Sequence, residues 1–225
     1  AGNQGKGVSV NLNSEADIRA AYAIADAYGG DVLIEKYIEG ADYRLLVVNG
    51  KLIAAAKRTP AAVVGDGKST IQQLINKVNE DPRRGIGHEK VLTSIKADKH
   101  TLDLIKGRGL TMKSVLPAGE ILYLKSTANI STGGTATDVT DQMHPYNVLL
   151  AERAAGIVGL DICGIDLMAN DIAVPLNESR GAVIEVNAAP GFRMHIAPTE
   201  GLPRNVAAPV VDMLFPRGST ARIPI

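Results

Sequence analysis

Only one cysteine, Cys163, occurs among the 225 residues, so no disulfide can form within the chain. It lies in an apolar run, where a free cysteine acts as a small hydrophobe, and the lack of a disulfide framework fits a reducing cytoplasm. An excess of either charge is also missing. Lys plus Arg and Asp plus Glu number 24 each, which leaves no global field to draw in nucleic acid or a membrane surface. No apolar stretch approaches membrane-spanning length. Residues 1–7 (Ala-Gly-Asn-Gln-Gly-Lys-Gly) are polar and lack the apolar core of a signal peptide. His88, His100, His144 and His195 have no metal-ligand spacing, and the first three read as surface or loop residues. There is no internal repeat and no evident nucleophile–base pair.

What is present suffices for a real core, as one large domain or two smaller lobes. Residues 8–12 alternate like a strand. Ser14 then offers a helix N-cap, with Glu15 and Asp17 in the first turn, and the helix runs to Ala27 before Gly29 and Gly30 stop it. Residues 32–38 read as a strand. Residues 43–48 and 51–56 are strands around Asn49-Gly50, a strong two-residue hairpin signal. Residues 59 to about 118 gather Arg and Lys and carry two short helical patterns, starting at Ser69 and Asp98, and read as an insertion or small lobe. Strand signals return from Ile121. A helix over 147–158 leads into a strand over 162–168, then a strand around Glu185 and a helix over about 204–215. Hairpins mixed with helices predict an α+β fold, not a doubly wound parallel sheet.

Residues 183–191 (Val-Ile-Glu-Val-Asn-Ala-Ala-Pro-Gly) would project Glu185 and Asn187 from one strand face. Asp166 lies between apolar neighbours in the preceding strand. Two readings fit: three oxygen ligands suited to Mg²⁺, or carboxylates held in structural ion pairs or facing a loop. Residues 65–69 (Gly-Asp-Gly-Lys-Ser) mimic a P-loop, but Ala62 occupies the position that motif needs as glycine, so a turn and helix cap are expected. Gly5, Lys6 and Gly7 precede a strand, which excludes the dinucleotide fingerprint; such a tip either folds over phosphates or binds nothing. Residues 129–135 (Asn-Ile-Ser-Thr-Gly-Gly-Thr) form a polar loop able to hold a carboxylate or phosphate, or serve as a plain turn. Arg44 shares a face with Leu46 and Val48, so it is expected to be semi-buried, either paired with a carboxylate or steadying a phosphoryl group.

The order of these pieces resembles the ATP-grasp ligases over nearly the whole chain. The glycine-rich tip comes first, then residues 35–44 (Glu-Lys-Tyr-Ile-Glu-Gly-Ala-Asp-Tyr-Arg), the Asn49-Gly50 hairpin, Asp166, and Glu185 with Asn187. Residues 57–60 (Lys-Arg-Thr-Pro), 65–70, 81–85 (Asp-Pro-Arg-Arg-Gly), 129–134, 185–195 and 218–224 are similar to the ATP-grasp domain of the cyanophycin synthetase family.

The resemblance implies an ATP-grasp fold, incomplete at the N-terminal lid, with an inserted small lobe. Its parts would be a lid remnant and adenine-hinge strands over 1–58, the insertion over 59–118, a metal-binding core over 119–215, and a linker over 216–225 toward a Mur-ligase-like domain. Gly5, Lys6 and Gly7 would close over the phosphates of ATP. Glu35, Lys36, Tyr37 and Ile38 would form the adenine hinge, with Asp42 at the ribose. Asp166, Glu185 and Asn187 would hold Mg²⁺. Arg44, helped by Lys57 or Arg58, would stabilise the phosphoryl group. Asn129, Ser131, Thr132, Gly133, Gly134 and Arg193 would meet the acceptor chain and incoming amino acid. The implied activity is amide formation through an acyl phosphate, extending the poly-aspartate backbone of cyanophycin with aspartate, in a possible homo-oligomer. The segment by itself is expected to be inactive. A glutathione-synthase-like ligase and a non-catalytic nucleotide- or polymer-binding module are the alternatives.

Overall fold

The computed structural model describes residues 7–10, 12–87, 89–177, 181–216 and 218. They fall into two compact units, Ala1–Glu39 and Gly40–Ile225.

The first unit is built on α1 (Glu15–Asp26). Its Ser14 hydroxyl accepts from the Asp17 N–H while the Asp17 carboxylate accepts from the Ser14 N–H, a reciprocal cap that satisfies two orphan donors. The strands expected over 8–12 and 32–38 are not formed at the described positions, and Leu33 and Ile34 are exposed. An apolar β-branched run becomes a strand only when a neighbouring edge takes its N–H and C=O groups, and no described strand pairs with either run.

The second unit contains a five-stranded antiparallel sheet in the order β7-β2-β1-β8-β9. Its strands are β1 (Ala41–Val48), β2 (Lys51–Thr59), β7 (Thr135–Asp138), β8 (Ile162–Ala169) and β9 (Ala182–Asn187). Asn49 and Gly50, at φ 49° and 70°, make the tight turn between β1 and β2. One sheet face presents Tyr43, Leu45, Val47, Ala55, Cys163, Ile165 and Leu167 to a core shared with Ala151 and Ala155 of α4 (Pro145–Val158). Pro145 at the helix start and Gly159 at φ 75° past its end fix the bounds of α4. The opposite face divides in two. Leu46, Val48 and Ala54 pack with Val206, and with Val210 and Met213 of α6 (Ala207–Leu214). The remainder of that face carries charged side chains beside a small apolar cluster of Ala56 and Ala136.

Between β2 and β7 the chain builds a second core of Ala61, Val63, Ile71, Leu74, Ile75, Ile95, Ile105, Leu116, Leu122 and Leu124. It joins β3 (Ala62–Val64), α2 (Ile71–Asn79), α3 (Lys99–Gly107) and β6 (Ile121–Tyr123), and the same stretch of chain carries the short parallel pair β4 (Arg84–Gly85) and β5 (Leu92–Thr93). β6 pairs with β3, so the strand signals after Ile121 do not at once rejoin the main sheet. The P-loop lookalike is a turn: Asp66 accepts from the Lys68 and Ser69 N–H groups, and Thr70, one residue later than expected, caps α2.

Candidate functional site

Antiparallel register gathers charge on this second face of the sheet. Asp42 lies opposite Arg58, Arg44 opposite Asp166, and Asp166 opposite Glu185, so the three pairs tile adjacent strands. Arg44 engages both Asp166 oxygens, Nε with Oδ1 and Nη2 with Oδ2 at 3.1 Å. Arg58 donates to Asp42 Oδ1 through Nε at 2.8 Å and Nη2 at 2.5 Å, and its Nη2 also lies 3.1 Å from Asp166 Oδ2. The Arg44, Arg58 and Asp166 side chains are only 12%, 8% and 16% exposed, so their charges attract in a weak dielectric. Burial pushes the Asp42 carboxyl up against the pull of Arg58, with Asp166 adding to the upward push. Burial disfavours the Arg58 charge, yet Asp42 and Asp166 together raise its pKa.

Gly164 makes room for this network. A Cβ there would lie 3.0 Å from Arg44 Cδ, 3.1 Å from its Nη1 and 2.8 Å from Pro190 Cβ. Glu185 is exposed beside Asp166 and makes no ion pair among the described residues. Asn187, opposite Gly164, is half-buried, and its amide nitrogen is buried without a hydrogen-bond partner among the described residues. A bulge between Asp166 and Leu167 re-aims β9 at this point. Asp166, Glu185 and Asn187 therefore meet on one face as three oxygen-bearing groups, a donor set that fits a hard cation such as Mg²⁺.

Lys57 goes elsewhere. It pairs with Tyr43 and Thr137, exposed, on the face opposite Arg58. The sequence left the choice between Lys57 and Arg58 open; period-two alternation means that the face can receive only one of them.

The loop around 129–134 borders the charged face. Its 3-10 turn, Ile130–Thr132, places Ile130 in a cluster with Ala56 and Ala136 of the sheet and Met194. Met194 belongs to α5 (Arg193–Ile196), which packs on β2 and β7. Gly133 sits at φ 98°, and a Cβ on Gly134 would lie 2.7 Å from the Thr59 carbonyl oxygen, so backbone packing demands both glycines. Buried Arg84 ties this turn to β5 by donating from Nη1 to the carbonyls of Thr93 (2.7 Å) and Gly133 (3.0 Å). A cleft of about 140 Å³ opens beside it, bordered by Ser131, Thr132, Ser94, Lys96 and Lys125. Asn129 is exposed, and Arg193 reaches the Lys90 carbonyl at 3.2 Å.

Glu35, Lys36, Tyr37, Ile38 and Gly7 belong to the first unit, where the expected hinge residues have no strand structure. Gly5 and Lys6 lie outside the described residues, as do His88 and most of the motif at 218–224.

Sequence reasoning missed two neighbours of this face. Asp138, at the end of β7, is held by Arg204 (2.6 Å) and Thr140 (2.5 Å), contacts that outweigh the effect of burial and keep its carboxyl below the usual range. His195 is 2% exposed and lies under the influence of Arg44, Arg58 and Asp138. Burial, aided by the two arginines, pulls its pKa down to about 4, so the ring is neutral at pH 7. The Arg-Met-His run carried the signal for His195, but nothing local shows that a four-residue helix will bury it.

No family model matches the chain. Along its whole length it is 54% identical to a cyanophycin synthetase of Synechocystis sp., of which it spans 26%. It is 35% identical, over 95% of its length, to a glutathione biosynthesis bifunctional protein of Clostridium perfringens, spanning 28% of that protein. The crystal structure of a bifunctional glutathione synthetase from Pasteurella multocida superposes on 96% of the chain with a TM-score of 0.69 at 33% identity, using 30% of that structure. The chain thus spans about a quarter of the curated relatives it matches first. Identity sustained from end to end matches the chain to about a quarter of the cyanophycin synthetases, and its fold is that of the ATP-grasp ligases.

Proposed function

We propose that this segment is the ATP- and Mg²⁺-dependent ligase part of a cyanophycin-making enzyme, joining aspartate to the poly-aspartate backbone through an acyl phosphate. The observation that carries this reading is the shared face on which Arg44 and Arg58 stand against Asp166, with Glu185 on the next strand. Asp166, Glu185 and Asn187 are assigned to hold Mg²⁺, which when bound offsets the negative charge of the phosphates. Arg44 and Arg58 steady the phosphoryl oxygens with planar, permanently charged forks. Asp42 holds the Arg58 guanidinium in place, a different task from the ribose contact that the resemblance suggests. Lys57 has no part in this proposal.

The acceptor carboxylate attacks the γ-phosphorus and ADP departs. An amine then attacks the acyl carbon, the C–N bond forms, and inorganic phosphate leaves with the C–O bonding electrons. The turn around Ser131 and Thr132 is the candidate contact for the acceptor chain. The higher identity to cyanophycin synthetases than to glutathione-forming relatives supports backbone extension over a glutathione-type reaction.

The test is phosphate release from Mg-ATP by the protein at its full natural length, with cyanophycin primer and one amino acid at a time. Aspartate-dependent release that is lost in Glu185→Ala is the expected result. Release that requires arginine alone and ignores Glu185→Ala would sink the assignment.

A further inference from the structure

We propose that the His195 imidazole receives the N–H of the attacking amine and orients its lone pair toward the acyl phosphate, an inference that rests on the ligase reading above. Three observations carry it. The ring is buried at 2% exposure, and neither Nδ1 nor Nε2 has a hydrogen-bond partner among the described residues. Buried polar groups in native proteins are nearly always satisfied, so ring nitrogens with no partner among the described residues are open to one from a ligand.

The backbone around the ring is firmly placed. The His195 N–H donates to the Phe192 carbonyl at 2.9 Å, and its carbonyl accepts from the Arg204 N–H at 2.8 Å. Arg204 is itself clamped on Asp138 and Asp141 at 2.6 and 2.7 Å. α5 packs on β2 and β7, on the same face as Arg58. A backbone held this firmly gives the ring a fixed point of attachment beside the site.

The surrounding groups also define the partner's chemistry. Asp138 is already taken by Arg204 and Thr140, and Arg44 and Arg58 are engaged with Asp166 and Asp42. An ammonium has no lone pair with which to attack, so the ligand presented to the ring is a neutral amine. A neutral imidazole keeps one lone pair to accept from that amine. As the C–N bond forms, the C–O bond to phosphate breaks, its electron pair leaves with phosphate, and the amine proton ends on the departing phosphate. His195 thus positions the nucleophile, and nothing in the first half-reaction needs it.

That split supplies the test. Scrambling of ¹⁸O between the bridging and non-bridging β,γ positions of labelled ATP, with acceptor present and amine absent, reads acyl-phosphate formation alone. Amide formation at varied aspartate reads the second step. His195→Leu is expected to keep the exchange rate within about threefold while amide formation falls about 100-fold and KM for aspartate rises. His195→Gln, which retains an acceptor, is expected to recover part of that loss, with both variants checked for folding by thermal melting. Exchange and amide formation falling in step, or neither falling, would overturn the proposal and make His195 a packing residue. No exchange in the unsubstituted protein would overturn the ligase reading itself, and this inference with it.

Discussion

Arg44 and Asp166 face each other across β1 and β8 in a two-bonded ion pair, and the same carboxylate lies 3.1 Å from Arg58. One acidic side chain thus anchors two arginines. Arg44→Ala leaves Asp166 with Arg58 alone, and urea unfolding is expected to show a loss of about 1–3 kcal/mol. Arg44→Lys should restore little of it, because an ammonium cannot reproduce the fork.

Adjacent residues of β2 should behave in opposite ways. Lys57→Ala removes an exposed group from the far face and is expected to change stability by less than about 0.5 kcal/mol and ligase turnover by less than about twofold. Arg58→Ala strips the buried partner of Asp42 and Asp166, and turnover should fall about 100-fold or more. Equal effects in steady-state assays would refute the face assignment.

Gly164 tests whether the space around Arg44 matters. The added methyl of Gly164→Ala would lie within 3.1 Å of both Arg44 and Pro190, and overpacking of this kind costs about 1–3 kcal/mol. Turnover should fall further than melting temperature suggests, since the displaced guanidinium is the one assigned to the phosphoryl group.

Acid should destabilise the fold through His195. Its pKa is about 4 in the folded protein against 6.5 unperturbed, so the unfolded chain binds a proton first as pH falls. Stability contributed by the neutral ring is complete above pH 6.5 and declines between 6.5 and 4, by about 3 kcal/mol at most. Denaturant unfolding at pH 7 and pH 4.5 should show this loss in the parent protein and a smaller one in His195→Gln.

Glu185→Gln keeps size and hydrogen bonding but removes the charge assigned to the metal. The Mg²⁺ concentration giving half-maximal protection against thermal unfolding in the presence of ATP is expected to rise about 10-fold or more. An unchanged midpoint would leave Asp166 and Glu185 as structural carboxylates only.

Much of the second unit was legible from local pattern. Asn49-Gly50 marked its hairpin because that pair tolerates positive φ, and alternation put Arg44 with Leu46 and Val48 on one face, as found. The helical pattern starting at Ser69 foretold α2, whose Ile71, Leu74 and Ile75 form its buried stripe. Residues 8–12 and 32–38 looked equally strand-like, yet their described residues form none, since a strand exists only through its neighbour.

The sequence by itself determined the alternation that puts Glu185 and Asn187 on one strand face, and the order of motifs that resembles the ATP-grasp ligases. These follow from backbone geometry, which repeats every two or 3.6 residues whatever surrounds it. Only the tertiary structure decided that Arg58 and not Lys57 joins Arg44, that Gly164 clears space for a guanidinium, and that His195 is buried on the Arg58 side of the sheet. Those outcomes depend on the register between strands far apart in sequence. Register fixes which charges meet, and burial fixes how strongly they act.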